Sequence, residues 1–175
     1  VISRGVALSL DGTNDALTIP TTGLGLTEGV FWMVYELPST FSGVNNYYFD
    51  TTTARHAYFQ NTATSVVMYN DGRQTVFEGV PYTNGANNNL LFFYKKSDNT
   101  QRLWLNGSEI SGGAPTGTWA SNAFGADWHI GQRFSGTERL RAYINIAAAW
   151  DIAPVGEMAR QLMTDPYAFL SPPSP

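Results

Sequence analysis

A two-residue alternation of apolar and polar side chains, broken at intervals by turn residues, runs through nearly the whole chain and constrains its fold most. It is clearest in "LLFFYKKSDNTQRLWLNGSEISG", residues 90–112. The polar stretch 97–100 separates strands predicted over 90–96 and 101–105. Asn106-Gly107 is the pair favoured by two-residue type I′ hairpin turns, so a third strand is predicted at 108–111. The pattern therefore predicts a three-stranded antiparallel meander.

The same alternation predicts strands along the rest of the chain. The stretch "GVFWMVYELP" (29–38) is apolar on both faces, which is typical of a central strand covered on both sides. The opening "VALSLDGTNDALTIP" (6–20) alternates on either side of a turn at 11–15. Roughly ten to thirteen short strands with turn signals between them indicate an antiparallel two-sheet sandwich or barrel.

A helix is predicted only near the end, in "YINIAAAWDIAPVGEMARQLMTDPYAFL" (143–170). This stretch begins as a strand, and an apolar stripe at helical spacing then predicts a helix over 154–163. Pro154 suits the first helical position, and Asp165-Pro166 ends the helix. We expect one domain over residues 1–165, including this closing helix, followed by a Pro-rich tail over 166–175.

Composition excludes several classes of protein. Hydrophobic residues make up 43% of the 175 residues, which is enough apolar surface to offset chain entropy and argues against disorder. The net charge is −4 and the ten Lys and Arg form no basic stripe, so a nucleic-acid partner is not expected. No apolar run approaches a membrane span, so no membrane partner is expected. Cysteine is absent, which removes disulfides and thiol chemistry without identifying the compartment.

The order of these motifs resembles the laminin-G-like, concanavalin A-like jelly-roll superfamily. The resemblance is carried by "LSLDGTNDALTIP" as an opening hairpin, "FWMVYELP" as an aromatic strand, the meander ending in "LNG", and "WHIGQRF" before a long last strand. It implies an all-β, two-sheet antiparallel jelly-roll sandwich with one short C-terminal helix.

The end of the chain, "LMTDPYAFLSP", resembles the C-terminal tails of jelly-roll proteins from tailed bacteriophages. This resemblance implies a non-catalytic structural or interaction protein of the virion, either a capsid decoration or a tail-associated protein. Its partners would be other virion subunits or copies of itself, in a homo-oligomer or on a particle. On this first hypothesis, Tyr167 and Phe169 contact a neighbouring subunit.

A second hypothesis is a carbohydrate-binding, lectin-like module that is secreted or displayed at a cell surface, with a glycan as partner. Trp119 lies in the Gly-rich loop "GGAPTGTWASNAFGAD" (112–127), where an exposed indole could stack on a sugar ring. Tyr47, Tyr48 and Tyr82 lie beside Asn-rich loops and would add hydrogen bonds. The alternative for Trp119 is that it folds back onto the sandwich and plugs the loop.

An enzyme of the glycoside hydrolase type ranks third, and we expect no catalytic activity. Hydrolases on this fold place two carboxylates on alternate residues of one strand, and no two acidic residues here have that spacing. No cofactor is predicted, with calcium as the alternative. Asp11, Asn14 and Asp15 put three oxygen donors in one turn, although the same residues are ordinary turn formers.

Overall fold

The computed structural model describes residues 7–20, 27–40, 45–51, 56–120, 127–133, 135–151 and 156–167. These residues form twelve β-strands and one α-helix. In chain order they are β1 (Leu8–Asp11), β2 (Leu17–Pro20), β3 (Glu28–Glu36), β4 (Asn46–Thr51), β5 (His56–Thr62), β6 (Ser65–Asn70), β7 (Arg73–Phe77), β8 (Asn87–Lys95), β9 (Thr100–Leu105), β10 (Ser108–Ile110), β11 (Asp127–Ile130), β12 (Arg141–Trp150) and α1 (Gly156–Thr164). Within these ranges no helix has the length and apolar character needed to cross a membrane.

The strands form two six-stranded sheets. The first sheet has the order β1-β12-β3-β8-β9-β10, and the second has the order β2-β11-β4-β5-β6-β7. Neighbouring strands are antiparallel throughout both sheets. The predicted all-β, two-sheet antiparallel jelly-roll sandwich with one C-terminal helix is confirmed. The division into a domain at 1–165 and a tail at 166–175 stays a prediction.

Aromatic side chains from both sheets fill the space between them. The ring of Phe31, on the first sheet, lies 4.3 Å from that of Trp128 on the second. Tyr58 and Phe92 stack across the same space with ring centroids 4.6 Å apart. Because each buried aromatic removes a large apolar area from water, these contacts hold the two sheets together.

The strand predicted to be central and covered on both sides is β3. It lies between β12 and β8 in the first sheet. Its inner side chains Phe31, Met33 and Tyr35 belong to the inter-sheet core. Its outer side chains Val30, Trp32 and Val34 form a second cluster on the opposite face of the same sheet, together with Leu162 and Met163 of the helix. The two-sided apolar pattern of the strand is thereby explained.

Helix α1 covers part of the outer face of the first sheet. It ends at Thr164, one residue beyond the predicted end, while residues 154 and 155 of the predicted start lie outside the described residues. Leu162 and Met163 are buried beside Trp32, whose ring stacks on Trp150 at 5.9 Å. The helix therefore shields an apolar surface that would otherwise face water.

A single buried amide on β8 connects the helix to the sheet. The Asn89 side chain is 7% exposed and donates from Nδ2 to the backbone oxygens of Leu162 at 2.7 Å and Met163 at 3.1 Å. Its Oδ1 accepts a hydrogen bond from the indole Nε1 of Trp32 at 2.7 Å. The last carbonyls of a helix have no partner within the helix, so Asn89 supplies one and fixes where α1 lies.

The three-stranded meander predicted from residues 90–111 is confirmed as β8, β9 and β10. Asn106 and Gly107 have φ values of 50° and 86°, the left-handed backbone that a type I′ turn needs at both positions. The Asn106 side chain also accepts a hydrogen bond from the backbone N–H of Asn89 at 2.8 Å. The turn is thus connected to the residue that anchors the helix.

The opening stretch is not the hairpin that the resemblance implied. β1 pairs with β12 in the first sheet, whereas β2 pairs with β11 in the second. The connection at 12–16 therefore crosses from one sheet to the other. Alternation identifies both strands correctly, but it does not specify their partners.

A β-bulge interrupts the long strand β12. The alternation of Ala142, Ile144 and Ile146 predicts that all three side chains share one face. The pairing with β3 shifts between Ile144 and Ile146, so that Ile144 packs in the inter-sheet core and Ile146 packs in the cluster under the helix. One extra residue reverses the facing of every side chain that follows it.

Replacing Asn89 with alanine should destabilise the protein by about 2–4 kcal/mol, because the Trp32 indole and two helix carbonyls lose buried partners. Urea unfolding at neutral pH measures this difference. The matched control is Asn61→Ala, an exposed asparagine on β5 that should change stability by less than about 0.5 kcal/mol. Equal effects of the two substitutions would show that Asn89 does not anchor the helix.

Candidate functional site

Trp119 lies at one end of the sandwich, packed against the inter-sheet core. Its Nε1 donates to Oδ1 of Asn99 at 2.8 Å, and its ring lies 6.1 Å from that of Tyr94. The guanidinium of Arg73 and the ammonium of Lys96 lie 5.7 Å and 5.9 Å from the ring centroid. This is the inward placement that the plug alternative describes, and much of the indole is covered.

The backbone around Trp119 is attached to both sheets. The Lys96 ammonium, after β8, pairs with the buried Asp71 carboxylate, after β6, at 2.8 Å. Lys96 also donates to the carbonyl of Ala120, and the Ala120 N–H donates to the carbonyl of Asp71. A Cβ at Gly72 would lie 2.6 Å from the carbonyl oxygen of Thr118, so only glycine allows this approach. The loop is therefore held in place at this end.

Two of the tyrosines predicted to assist binding pack in or against the core, Tyr48 fully buried and Tyr82 partly buried. Tyr48 is fully buried, where it accepts a hydrogen bond from the hydroxyl of Tyr35 and donates to Gln60. Tyr82 packs against the same core, with its ring 6.5 Å from that of Tyr48. Burial raises the pKa of both phenols well above the ordinary value. Neither side chain is placed to meet a ligand at the surface.

The three calcium candidates form the turn after β1. Oδ1 of Asp11 accepts hydrogen bonds from the backbone N–H groups of Thr13 at 2.6 Å and Asn14 at 3.2 Å, and Asp15 accepts one from the Asp11 N–H. These bonds, led by that from Thr13, lower the pKa of Asp11. Over the described ranges no three acidic or histidine side chains converge. The carboxylates act here as turn formers.

The two aromatic residues assigned to partner contact are described only in part. Tyr167 follows α1 and is 46% exposed. Phe169 lies outside the described residues.

The remaining candidate, Tyr47, belongs to a row of apolar side chains on the outer face of the second sheet. This apolar row follows cross-strand partners from β4 to β7 and consists of Tyr47, Phe59, Val67 and Val76. Tyr47 and Phe59 stack at 4.6 Å with their planes 13° apart. The guanidinium of Arg133 lies 5.8 Å from the Tyr47 ring and is paired with Glu138 at 2.9 Å. Tyr47 is therefore buried beneath its neighbours, and burial raises its pKa.

A second row runs beside the first and is mostly polar. This polar row follows cross-strand partners from β2 to β7 and consists of Thr18, His129, Asp50, Ala57, Tyr69 and Gln74. Neighbouring strands lie about 4.8 Å apart, so the row extends for about 19 Å between His129 and Gln74. Asp50 and Ala57 in the middle of the row are buried, so the accessible groups lie towards its two ends.

Tyr69 is the aromatic residue of the polar row. Its ring is half-buried, and it makes no ring contact and no side-chain hydrogen bond. Its neighbour in the row on one side is the buried Ala57, and on the other side is Gln74. The Gln74 amide is half-buried and has no side-chain hydrogen bond. An aromatic ring beside an uncommitted amide offers both an apolar contact and hydrogen bonds.

His129 lies at the other end of the polar row. Its Nδ1 lies 3.5 Å from Thr18 Oγ1 and 3.3 Å from Gln132 Nε2. Its Nε2 has no hydrogen bond, so it is available to a ligand. Of the two ring nitrogens of His129, Nδ1 therefore has polar neighbours and Nε2 has none among the described residues.

Sequence reasoning did not select Phe59, Tyr69, Gln74 or His129. A signal was present, because "SVVMYN" in β6 is apolar at successive positions, as in a strand covered on both sides. The chain has one predicted helix, and that helix covers the first sheet. The apolar positions on the outer face of the second sheet therefore remain without a covering helix among the described residues.

Comparison with known proteins identifies the same fold in several solved structures. A candidate carbohydrate-binding protein from Bacteroides ovatus superposes with a TM-score of 0.67 and 12% identity, over 92% of this chain and 50% of that one. The CBM40 of the Ruminococcus gnavus IT-sialidase gives 0.65 and 9% identity, over 92% of this chain and 98% of that one. A K499G mutant of the NanB sialidase from Streptococcus pneumoniae gives 0.63 and 14% identity, over 87% and 27%.

These similarities establish a concanavalin-like jelly-roll sandwich. No protein-family model and no curated protein matches the sequence. The chain spans about a quarter of the NanB sialidase chains, so the likeness concerns one part of those proteins. The structural similarity establishes the fold alone, and the function depends on the residues at the surface of this chain.

The burial of the tyrosines predicts a steep loss of stability at high pH. Burial raises the pKa of six phenols, those of Tyr35, Tyr47, Tyr48, Tyr58, Tyr82 and Tyr94. Above pH of about 10 the unfolded chain releases these protons and the folded chain does not, so unfolding becomes more favourable as pH rises. Each such tyrosine contributes up to about 1.4 kcal/mol per pH unit.

The ultraviolet absorbance of tyrosinate, recorded as the pH is raised, measures the ionisation of these tyrosines. The six tyrosines whose pKa is raised by burial should ionise only when the protein unfolds. A reversible titration of all nine tyrosines near pH 10 would contradict the placement of Tyr48 and Tyr82 in the core.

Proposed function

We propose that this chain is a carbohydrate-binding module that takes an oligosaccharide on the outer face of its second sheet. The observation that carries the proposal is the half-buried ring of Tyr69 beside the Gln74 amide, neither of which has a side-chain hydrogen bond among the described residues. The C–H groups of a sugar ring pack on an aromatic face, and its hydroxyls both donate and accept hydrogen bonds. Tyr69 provides the first contact, while Gln74 and His129 provide the second.

The length of the polar row supports an oligosaccharide over a single sugar. His129 and Gln74 lie about 19 Å apart along the row, further than one sugar ring extends. The apolar row runs alongside and gives the ligand an apolar border at Phe59, which is half-buried. Similarity of fold to the CBM40 and to the Bacteroides ovatus protein adds support at the level of the fold. A secreted or cell-surface location goes with this proposal.

The proposed function is binding without catalysis. Hydrolysis of a glycosidic bond needs two carboxyl groups about 5–9.5 Å apart on either side of the bond. The polar row offers Asp50 alone as an acid, and this carboxylate is buried and accepts a hydrogen bond from the Thr51 N–H. Purified protein incubated with the glycan it binds should release no reducing sugar.

Replacing Tyr69 with alanine should weaken binding by about tenfold or more, because an aromatic contact of this kind contributes about 1.5 kcal/mol. Gln74→Ala should weaken it by a smaller factor, since one hydrogen bond is lost. A glycan array identifies the ligand, and calorimetry on the isolated glycan measures the change. Tyr69→Phe should retain most of the affinity.

Two further variants locate the site. Tyr167→Ala removes an exposed tyrosine after the helix, away from this face, and should leave binding unchanged. Trp119→Ala tests the loop as the stacking platform. If binding is lost in Trp119→Ala and kept in Tyr69→Ala, the ligand lies at the end of the sandwich and not on its face. An array without any bound glycan would overturn the proposal.

A virion protein is the second candidate function, and it rests on the sequence of the tail. The observation in its favour is that Tyr167 is exposed immediately after the helix, where a neighbouring subunit could bind it. None of the structures named above is described as a virion protein. Mass spectrometry of purified phage particles tests this candidate. Incorporation into the particle that is reduced in Tyr167→Ala would support it, and absence from the particle would exclude it.

A further inference from the structure

A second site lies on the outer face of the first sheet, away from the helix. A cavity of about 180 Å³ opens there between β1, β12 and the end of β3. It is lined by Ser9, Leu10, Asp11, Pro38, Arg141, Ala142 and Tyr143. Leu10 and Ala142 point into the inter-sheet core, so the side chains that face a ligand are the other five.

Tyr143 is the aromatic residue at this cavity. It is 47% exposed, and it makes no ring contact and no side-chain hydrogen bond. Its place on the strand explains its exposure. The outer side chains after the bulge, Ile146, Ala148 and Trp150, pack in the cluster beneath α1, whereas Tyr143 precedes the bulge and lies beyond that cluster.

Two polar side chains around Tyr143 make no hydrogen bonds of their own with other described residues. Arg141 is exposed and has neither an ion pair nor a side-chain hydrogen bond. Ser9 makes no side-chain hydrogen bond with another described residue, while the Asp11 carboxylate beside it accepts backbone hydrogen bonds within its turn. The cross-strand register places Ser9 opposite Tyr143 and Asp11 opposite Arg141. Donors and an acceptor therefore surround one exposed phenol ring.

The chemistry of these groups selects the ligand class. A sugar hydroxyl donates and accepts at once, so it suits a site that combines a guanidinium, a carboxylate and a hydroxyl. An anionic ligand would meet the Asp11 carboxylate and that of Glu36, which is the cross-strand partner of Tyr143. The cavity is smaller than the roughly 300–1,000 Å³ of sites for drug-sized molecules, and it therefore suits about one ring.

We propose that this cavity is a second saccharide site, which takes a single neutral sugar ring against Tyr143. The inference builds on the proposed function, in which the first site lies on the second sheet. The two sites lie on opposite faces of the sandwich, separated by both sheets. One ligand chain does not bridge them directly, so a single protein molecule would join two glycan chains.

Titration of ¹⁵N-labelled full-length protein with methyl glycosides of glucose, galactose, mannose and N-acetylglucosamine tests the proposal by NMR. Two separate sets of amide signals should shift and saturate. One set surrounds Ala57, Tyr69 and Gln74, and the other surrounds Ser9, Arg141 and Tyr143. Tyr143→Ala should weaken binding at the second set by about tenfold or more and leave the first unchanged, and Tyr69→Ala should do the reverse.

Tyr143→Phe is the matched control, because it keeps the ring and should keep the second set of shifts. Arg141→Ala should weaken the second set several-fold and leave the thermal unfolding temperature unchanged, since the side chain is exposed and unpaired. Shifts confined to the first set, or a second set that persists in Tyr143→Ala, would overturn the second site and leave the proposed function standing. Shifts confined to the second set would do the opposite. No shifts with any glycoside would overturn both.

Joining of two glycan chains has its own readout. Soluble polyacrylamide that carries the bound glycoside should become turbid with monomeric wild-type protein. Tyr143→Ala and Tyr69→Ala each retain one site, so both should bind the polymer without causing turbidity. Turbidity that persists in Tyr143→Ala would show that joining arises from self-association of the protein and would overturn the role of the second site.

Discussion

The fold depends on covering β3 from both sides. Its inner side chains join the aromatic core between the sheets, and its outer ones need a second cover. Helix α1 provides that cover, and Asn89 fixes the helix by donating to its last carbonyls while accepting from Trp32. An apolar residue at position 89 would leave these buried groups without partners. The closing helix is therefore a structural requirement of a strand that is apolar on both faces.

The placement of the helix has a direct consequence for function. A two-sheet sandwich has two outer faces, and the single described helix covers part of one. On the second sheet the outer side chains of β4 to β7 include Tyr47, Phe59 and Tyr69 without a helix above them. Such a face combines apolar area with open hydrogen-bonding groups at Gln74 and His129. That combination suits a ligand which is apolar on its ring faces and polar at its edges, as a sugar is.

Much of the fold is predictable from sequence because it depends on local chemistry. Asn106-Gly107 requires left-handed backbone, so the meander follows from the turn alone. The two-sided apolar pattern of 29–38 and the helical stripe near the end likewise predict a covered strand and its cover. The alternation of apolar and polar residues does not specify which strands pair with each other. The opening stretch shows this, since β1 and β2 are adjacent in sequence yet lie in different sheets.

The candidate site is less predictable for a related reason. The sequence indicates Trp119 as a binding residue because it is an indole in a Gly-rich loop. In the structure Asn99, Arg73 and Lys96 hold it against the core. These contacts join residues about twenty or more positions apart, so the local sequence does not reveal them.

The sequence does not indicate Tyr69 or Tyr143 as binding residues, because each lies in an ordinary strand. Their accessibility depends on the distant helix, since α1 covers the other sheet in one case and packs on a cluster that does not include the residue in the other. Burial of a strand residue is decided by what lies across from it in space. Tyr69 and Tyr143 have local sequences similar to those of the buried tyrosines. They nevertheless provide surfaces on which a ligand can bind.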